Sequence, residues 1–149
     1  MTRMSTPKMT RPNIRILIVD DMAQVRQDLR TVLMLAGNKA GIPVEIVGEA
    51  EDGKTAILQV EALQPEIVLM DLAMPILDGF EATQQIKKSH PACRVIALTI
   101  HSYETARLRA IQAGVDDFIE KGTPVSVLIE TIAKQWCGIQ GGVYPTLSE

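Results

Sequence analysis

Acidic, hydroxyl and basic side chains stand where apolar runs of this chain stop. Asp20 and Asp21 follow Ile14–Val19, and Asp71 follows Ile67–Met70. Thr99 follows Val95–Leu98, and Lys121 comes just after Phe118 and Ile119. Three carboxylates gathered in one place repel, and at least one pKa rises unless a cation is present. A hard divalent ion with oxygen ligands removes that repulsion. Mg²⁺ suits a few carboxylates together with water and phosphate oxygens, and Mn²⁺ could substitute. One carboxylate can then act as nucleophile on a phosphoryl donor and form a mixed anhydride. Such a transfer needs chiefly positioning and neutralisation of charge. The metal, the Lys121 ammonium and the Thr99 hydroxyl can each take one oxygen of the transferred group.

These residues meet only if the apolar runs are neighbouring strands. Five runs rich in Ile, Val and Leu recur: Ile14–Val19, Val44–Gly48, Ile67–Met70, Val95–Leu98 and the short Phe118-Ile119. Near-continuous apolar runs indicate strands covered on both faces, the mark of a parallel sheet. Helical stripes lie between them. Val25, Leu29, Val32, Leu33 and Ala36 form one, with Gly37 as its stop and Gly37 to Pro43 as a long glycine-rich connection. Ala56, Val60 and Leu63 form the next, ended by Pro65. Phe80, Thr83 and Ile86 mark the third, opened by an Asp78-Gly79 turn and closed by His90-Pro91. Ala106, Ala110 and Ala113 mark the fourth, ended by Gly114. The fifth is Val127, Leu128, Thr131, Ile132 and Gln135, with Thr123 as cap, Pro124 in the first turn and Gly138 as its end. Strand and helix alternating five times predicts a doubly wound α/β domain. In such a sheet ligands bind at the carboxyl ends of the strands, where Asp20, Asp21, Asp71, Thr99 and Lys121 stand.

Bulk properties narrow the function further. The 149 residues fit a single domain with a sizeable core. A formal net charge of −3 argues against nucleic-acid binding, whose footprint is basic. No apolar run is long enough for a membrane span. Residues 1–12 carry Arg3, Lys8 and Arg11 without an apolar stretch, so they read as a disordered leader rather than a secretory signal. Cys93 and Cys137 lack metal-ligand spacing and read as buried or surface thiols of a protein in a reducing cytosol.

Taken together, these positions resemble the receiver domain of bacterial two-component response regulators, over roughly Asn13 to Gly138. The matching elements are Asp20-Asp21, Asp71, Met74-Pro75 with Asp78-Gly79, Thr99, and Lys121 closing Asp117-Phe118-Ile119-Glu120-Lys121. The resemblance implies a flavodoxin-like fold: a five-stranded parallel sheet, order 2-1-3-4-5, with five helices. It assigns domain limits of 1–12 for the leader, 13–138 for the receiver, and 139–149 for a tail or the start of a linker. It implies Asp71 as phosphoacceptor, Asp21 as direct metal ligand, Asp20 as a ligand acting mainly through water, and the main-chain carbonyl of Ala73 as third protein ligand. Thr99 and Lys121 fall at the switch hydroxyl and the phosphate-binding lysine. Phe118 falls at the aromatic switch position, although a core phenylalanine explains it nearly as well. His101 beside the site could carry a proton but reads more simply as a solvated loop residue, while Trp136 and Tyr103 read as packing or contact residues.

The resemblance further implies a cytoplasmic switch rather than an enzyme, phosphorylated by a sensor histidine kinase or a phosphotransfer protein. Its output partner is unknown, and a homodimer on phosphorylation and control of transcription are both open. Departures from the family pattern are informative. Ile100 stands after Thr99, where a small residue is usual, and should restrict access to the phosphoryl group. Ala73 offers an attacking water no side-chain help, so slow autodephosphorylation is expected. Gly122 replaces the proline that often follows the lysine. That feature, with Leu98–Ser102, resembles receivers that carry LuxR-type helix-turn-helix output domains. Two rivals remain: a phosphorylation-independent pseudo-receiver acting as an interaction module, and an aspartate-nucleophile phosphatase. The latter needs Asp-x-Asp after the first strand, which is missing here.

Overall fold

The computed structural model describes residues 13–74, 76–100 and 104–140. The leader 1–12, Pro75, His101, Ser102, Tyr103 and the segment 141–149 lie outside the described residues. Ten elements alternate: β1 (Ile14–Val19), α1 (Ala23–Ala40), β2 (Val44–Ala50), α2 (Gly53–Leu63), β3 (Ile67–Met70), α3 (Gly79–Ser89), β4 (Arg94–Thr99), α4 (Glu104–Ala113), β5 (Asp117–Glu120) and α5 (Val125–Gln140). The strands form one parallel sheet in the order β2-β1-β3-β4-β5. The expected order and the five helices are both present.

Successive residues of a strand point to opposite faces, so each strand feeds two cores. Ile14, Ile16 and Ile18 of β1, Ile67 and Leu69 of β3, and Ile96 and Leu98 of β4 join one cluster. There they meet Leu33 of α1 and Leu128, Ile129, Ile132, Ala133 and Trp136 of α5. Leu17, Val19, Val68, Met70, Val95 and Ala97 point the other way, to Ala56 and Val60 of α2, Ala82 and Ile86 of α3, and Ala110 of α4. The apolar runs are continuous because both sets must be buried. β1 pairs β2 with a register shift between Ile16 and Leu17, so Leu17 faces Gly48 rather than Val47. α4 is the most lightly anchored helix, burying only Ala110 and Ala113.

Several helix ends differ from the sequence expectation. α1 does not stop at Gly37. Gly37 is buried, and a Cβ there would lie 2.9 Å from the Ile42 carbonyl oxygen and 3.1 Å from Val44 Cγ2. It is a close-approach glycine inside the helix, and the stop is Gly41, at φ 74°, whose N–H bonds back to Asn38 and Gly37. The connection to β2 is correspondingly short. α5 likewise runs through Gly138 to Gln140. Its Thr123 does not cap it: Thr123 Oγ1 donates to the Glu120 carbonyl at 2.5 Å, and the helix opens at Val125. The buried face of α5 is Leu128, Ile129, Ile132, Ala133 and Trp136, whereas Val127 is exposed. Trp136 is thus a packing residue, and Cys93 and Cys137 are both buried, with no disulfide between them.

Ile132 has no exposed surface and lies between α5 and the sheet. Ile132→Ala is expected to cost about 3 kcal/mol, by lost transfer energy plus the cavity left behind. The cost should appear as a lower urea midpoint at unchanged slope. A loss below about 1 kcal/mol would mean that this layer collapses around the gap.

Candidate functional site

The site begins with three strands that end level. The Asp20 N–H donates to the Ala50 carbonyl at 3.0 Å and the Asp71 N–H to the Val19 carbonyl at 2.9 Å. Sheet hydrogen bonding thus continues through the acidic residues and fixes both backbones. The Lys121 N–H donates to the Thr99 carbonyl at 2.8 Å, which does the same on the other side. Asp20, Asp71 and Thr99 are buried, while Asp21 is exposed. Asp20, Asp21 and Asp71 each offer a carboxylate oxygen, and these atoms lie within 4.8 Å of one another. That donor set, all hard oxygen and open on the Asp21 side, suits a divalent cation with oxygen ligands.

Lys121 bridges the two buried carboxylates. Its Nζ lies 2.7 Å from Asp20 Oδ2 and 3.7 Å from Asp71 Oδ2. Asp20 Oδ1 accepts the Met22 N–H at 2.9 Å, which holds the carboxylate at the opening of α1. Arg26 Nη1 donates to the Asp20 carbonyl at 2.6 Å, and Arg26 and Arg30 both pair with Glu49 at the end of β2. The Arg30 and Arg26 guanidinium groups hold the Glu49 carboxyl below its usual range. No spacing rule flags this outer ring, because arginines on a polar helix face read as solvated.

The loop after β3 is held by backbone contacts. Asp71 Oδ1 accepts the Ala73 N–H at 3.2 Å. The Gly79 N–H donates to the Leu72 carbonyl, and the Gly53 N–H at the start of α2 donates to the Leu77 carbonyl. Both glycines are obligatory: a Cβ on Gly79 would lie 2.3 Å from the Asp71 carbonyl oxygen, and one on Gly53 2.2 Å from that of Leu77. Asp78 caps α3 through the Glu81 N–H at 2.9 Å, as its Asp-Gly turn suggested. Asp52 caps α2 in the same way, on the Thr55 N–H at 2.7 Å. After Lys121 the chain turns at Gly122 with φ 94°, a left-handed geometry that proline's fixed φ forbids.

A cleft of about 730 Å³ opens beside Asp71, lined on one side by Asp21, Leu72, Ala73 and Thr99. Phe118 is partly buried against the α2–α4 core, with the Arg107 guanidinium 5.6 Å above its ring. Both readings of this residue, core packing and a movable aromatic, are compatible with that position. Ile100 stands at the end of β4 and is 66% exposed. His101 and Tyr103 lie outside the described residues.

Burial is the largest influence on Asp71 and raises its pKa, and the charges of Asp20 and Asp21 push the same way. The Ala73 N–H and Lys121 oppose the shift without cancelling it. A buried carboxylate kept ionised above its ordinary pKa costs stability. Above its raised pKa Asp71 therefore weakens the fold, and below the ordinary aspartate range that cost is gone. Asp71→Asn is expected to raise the thermal midpoint at neutral pH, with a gain that shrinks as pH falls through the raised pKa. An equal or larger gain under acid would show that the Asp71 charge is not the destabilising element.

Comparison with known proteins agrees with this geometry. The family model described as the response regulator receiver domain matches residues 16–133. The response regulator protein VraR of Staphylococcus saprophyticus is 37% identical over 123 residues, covering 83% of this chain and 56% of the relative. The chain thus spans little more than half the length of such relatives. A LuxR-family DNA-binding response regulator from Staphylococcus aureus superimposes with a TM-score of 0.74 at 27% identity, over 82% of this chain and 98% of that one. The receiver domain of AraT, a response regulator from Geobacillus stearothermophilus, does so with a TM-score of 0.73 at 30% identity, over 85% and 95%. Among the described residues no helix is long and apolar enough to cross a membrane.

Proposed function

The chain belongs to the response regulator receiver family, and on that premise we propose that Asp71 accepts a phosphoryl group in a reaction assisted by Mg²⁺. The observation that carries this is the joint placement of Asp20, Asp21 and Asp71 with oxygens within 4.8 Å, and Lys121 against two of them. Asp21 would bind the ion directly, Asp20 mainly through water, and the Ala73 carbonyl would complete the protein ligands. The bound ion supplies charge neutralisation for the carboxylates and the incoming phosphoryl oxygens.

Asp71 is the nucleophile because its loop is held by Gly79 and Gly53, so its carboxylate meets a donor in one orientation. An oxygen of Asp71 forms the bond to phosphorus while the donor's leaving group departs on the far side, into the cleft. Lys121, 2.7 Å from Asp20, has only to swing between neighbouring oxygens to pair with the new phosphoryl group. Thr99, wholly buried at the end of β4, would move toward that group. Phe118 would follow by turning inward from beneath Arg107, which biases a two-state surface of β4 and β5. The donor protein would be a sensor histidine kinase or phosphotransfer protein, as in two-component systems generally. The downstream target would be an output domain or partner protein, and the chain would act as a switch rather than as an enzyme on outside substrates. The LuxR-type relatives favour control of transcription through a domain beyond this chain.

The pseudo-receiver alternative requires a lost site residue, and the sequence keeps Asp20, Asp21, Asp71, Thr99 and Lys121. The phosphatase alternative requires a second carboxylate two residues after the first-strand aspartate, where this chain has Met22.

Incubation with Mg²⁺ and acetyl phosphate should add the mass of one phosphoryl group to the intact protein. The adduct should be absent without the metal and absent in Asp71→Asn. An equal adduct on the variant, or none on the wild type, would overturn the assignment. The phosphorylated form is expected to be long-lived, because Ala73 lines the cleft without a side chain that can orient water and Ile100 follows Thr99. After removal of the donor, a half-life of only seconds at 25 °C would sink that expectation.

A further inference from the structure

The cleft beside Asp71 has a second wall that the chemistry above does not use. Arg109 of α4 is the only basic residue among its described lining residues, which also include the acidic Asp21 and Asp78. The Arg109 guanidinium carbon lies 4.0 Å from the centroid of the Phe80 ring, so the aromatic face holds the cation at that wall. Arg109 Nη2 is 3.5 Å from Asp78 Oδ2, with the arginine side chain 61% exposed. A single long contact that exposed is weak and readily exchanged. Asp78 does not depend on it, because its Oδ1 already accepts the Glu81 N–H at 2.9 Å.

The cleft is where a leaving group must go, since the attacking carboxylate occupies the opposite side of phosphorus. A leaving group that carries negative charge would depart past Asp78, which repels it. Arg109 is the group positioned to offset that repulsion. The geometry points to Arg109 as a donor-selecting residue, one that binds phosphoryl donors whose leaving group is a carboxylate, the class of acyl phosphates. This rests on the acceptor role proposed for Asp71. In the step itself an Asp71 oxygen bonds to phosphorus and the bond from phosphorus to the acyl oxygen breaks. The carboxylate leaves with the electron pair, pairs with Arg109, and no proton is transferred. Phosphoramidate is the natural contrast. Its phosphorus–nitrogen bond breaks from the nitrogen-protonated form, the electron pair goes to nitrogen, and neutral ammonia leaves, which a guanidinium does not attract.

The test compares acetyl phosphate and phosphoramidate on the full chain with Mg²⁺, following the adduct by intact mass. Arg109→Gln is expected to slow phosphorylation by acetyl phosphate roughly tenfold, as for loss of one charge-assisted contact, and to change the phosphoramidate rate by no more than about twofold. Arg109→Lys, which keeps the charge, should stay within about threefold of wild type with acetyl phosphate. Equal slowing with both donors, no slowing with either, or a lysine variant as slow as the glutamine one would overturn the inference. Should Arg109→Gln lose its native circular dichroism, Asp78→Asn serves instead, because asparagine keeps the helix cap and releases Arg109. That variant should raise the ratio of acetyl phosphate to phosphoramidate rates, and an unchanged ratio overturns the inference. A wild-type chain that forms no adduct with either donor overturns the acceptor role itself, and this inference with it.

Discussion

Mutual repulsion among Asp20, Asp21 and Asp71 is the constraint around which the molecule is organised. Three like charges with oxygens within 4.8 Å would not be held together by side-chain preference alone. They are held because their backbones are continuations of adjacent parallel strands, bonded through the Ala50 and Val19 carbonyls. The sheet is in turn held by two apolar layers, one on each face. Burial raises the Asp71 carboxyl above its ordinary range, Asp20 and Asp21 push the same way, and the Ala73 N–H and Lys121 relieve only part of the shift. The residual strain is electrostatic, local and reversible, which is the state a cation-dependent reaction can use.

The second requirement is precision at Asp71, and glycine supplies it. At Gly79 and Gly53 backbones approach so closely that no side chain fits. The loop between β3 and α3 is therefore stitched to α2 and to itself, and Asp71 cannot drift. Gly122 plays a different part. It lets the chain reverse immediately after Lys121, so the ammonium points back over the site and α5 can still pack against α1.

The fold was legible because apolar strands alternate with amphipathic helices, a pattern that parallel sheets require. Asp20, Asp21, Asp71, Thr99 and Lys121 were legible for the same reason, since a strand's end is visible in sequence once the strand is. Gly37 and Gly138 were misleading, because a glycine inside a helix looks the same in sequence as one that ends it, whether it faces a close neighbour, as Gly37 does, or only ordinary contacts, as Gly138 does. The face of α5 was partly misread for a related reason. Val127 and Leu128 are equally apolar, and only the position of the sheet decides which is buried. Arg109, Arg26 and Arg30 were not legible at all. Their partners, Phe80, Asp78 and Glu49, come from other elements and depend on how helices lie across the sheet.

The uneven anchoring of the helices has a mechanical consequence. A buried methyl is worth on the order of 1 kcal/mol, and α4 is held by the side chains of Ala110 and Ala113. On the opposite face α5 sinks Leu128, Ile129, Ile132, Ala133 and Trp136 into its layer. α4 is therefore held less firmly than α5. Sub-global opening should begin at α4, whose backbone amides would be the earliest helical ones to exchange with solvent. A load on the sheet would therefore displace α4 before α5, which stays packed as a fixed support.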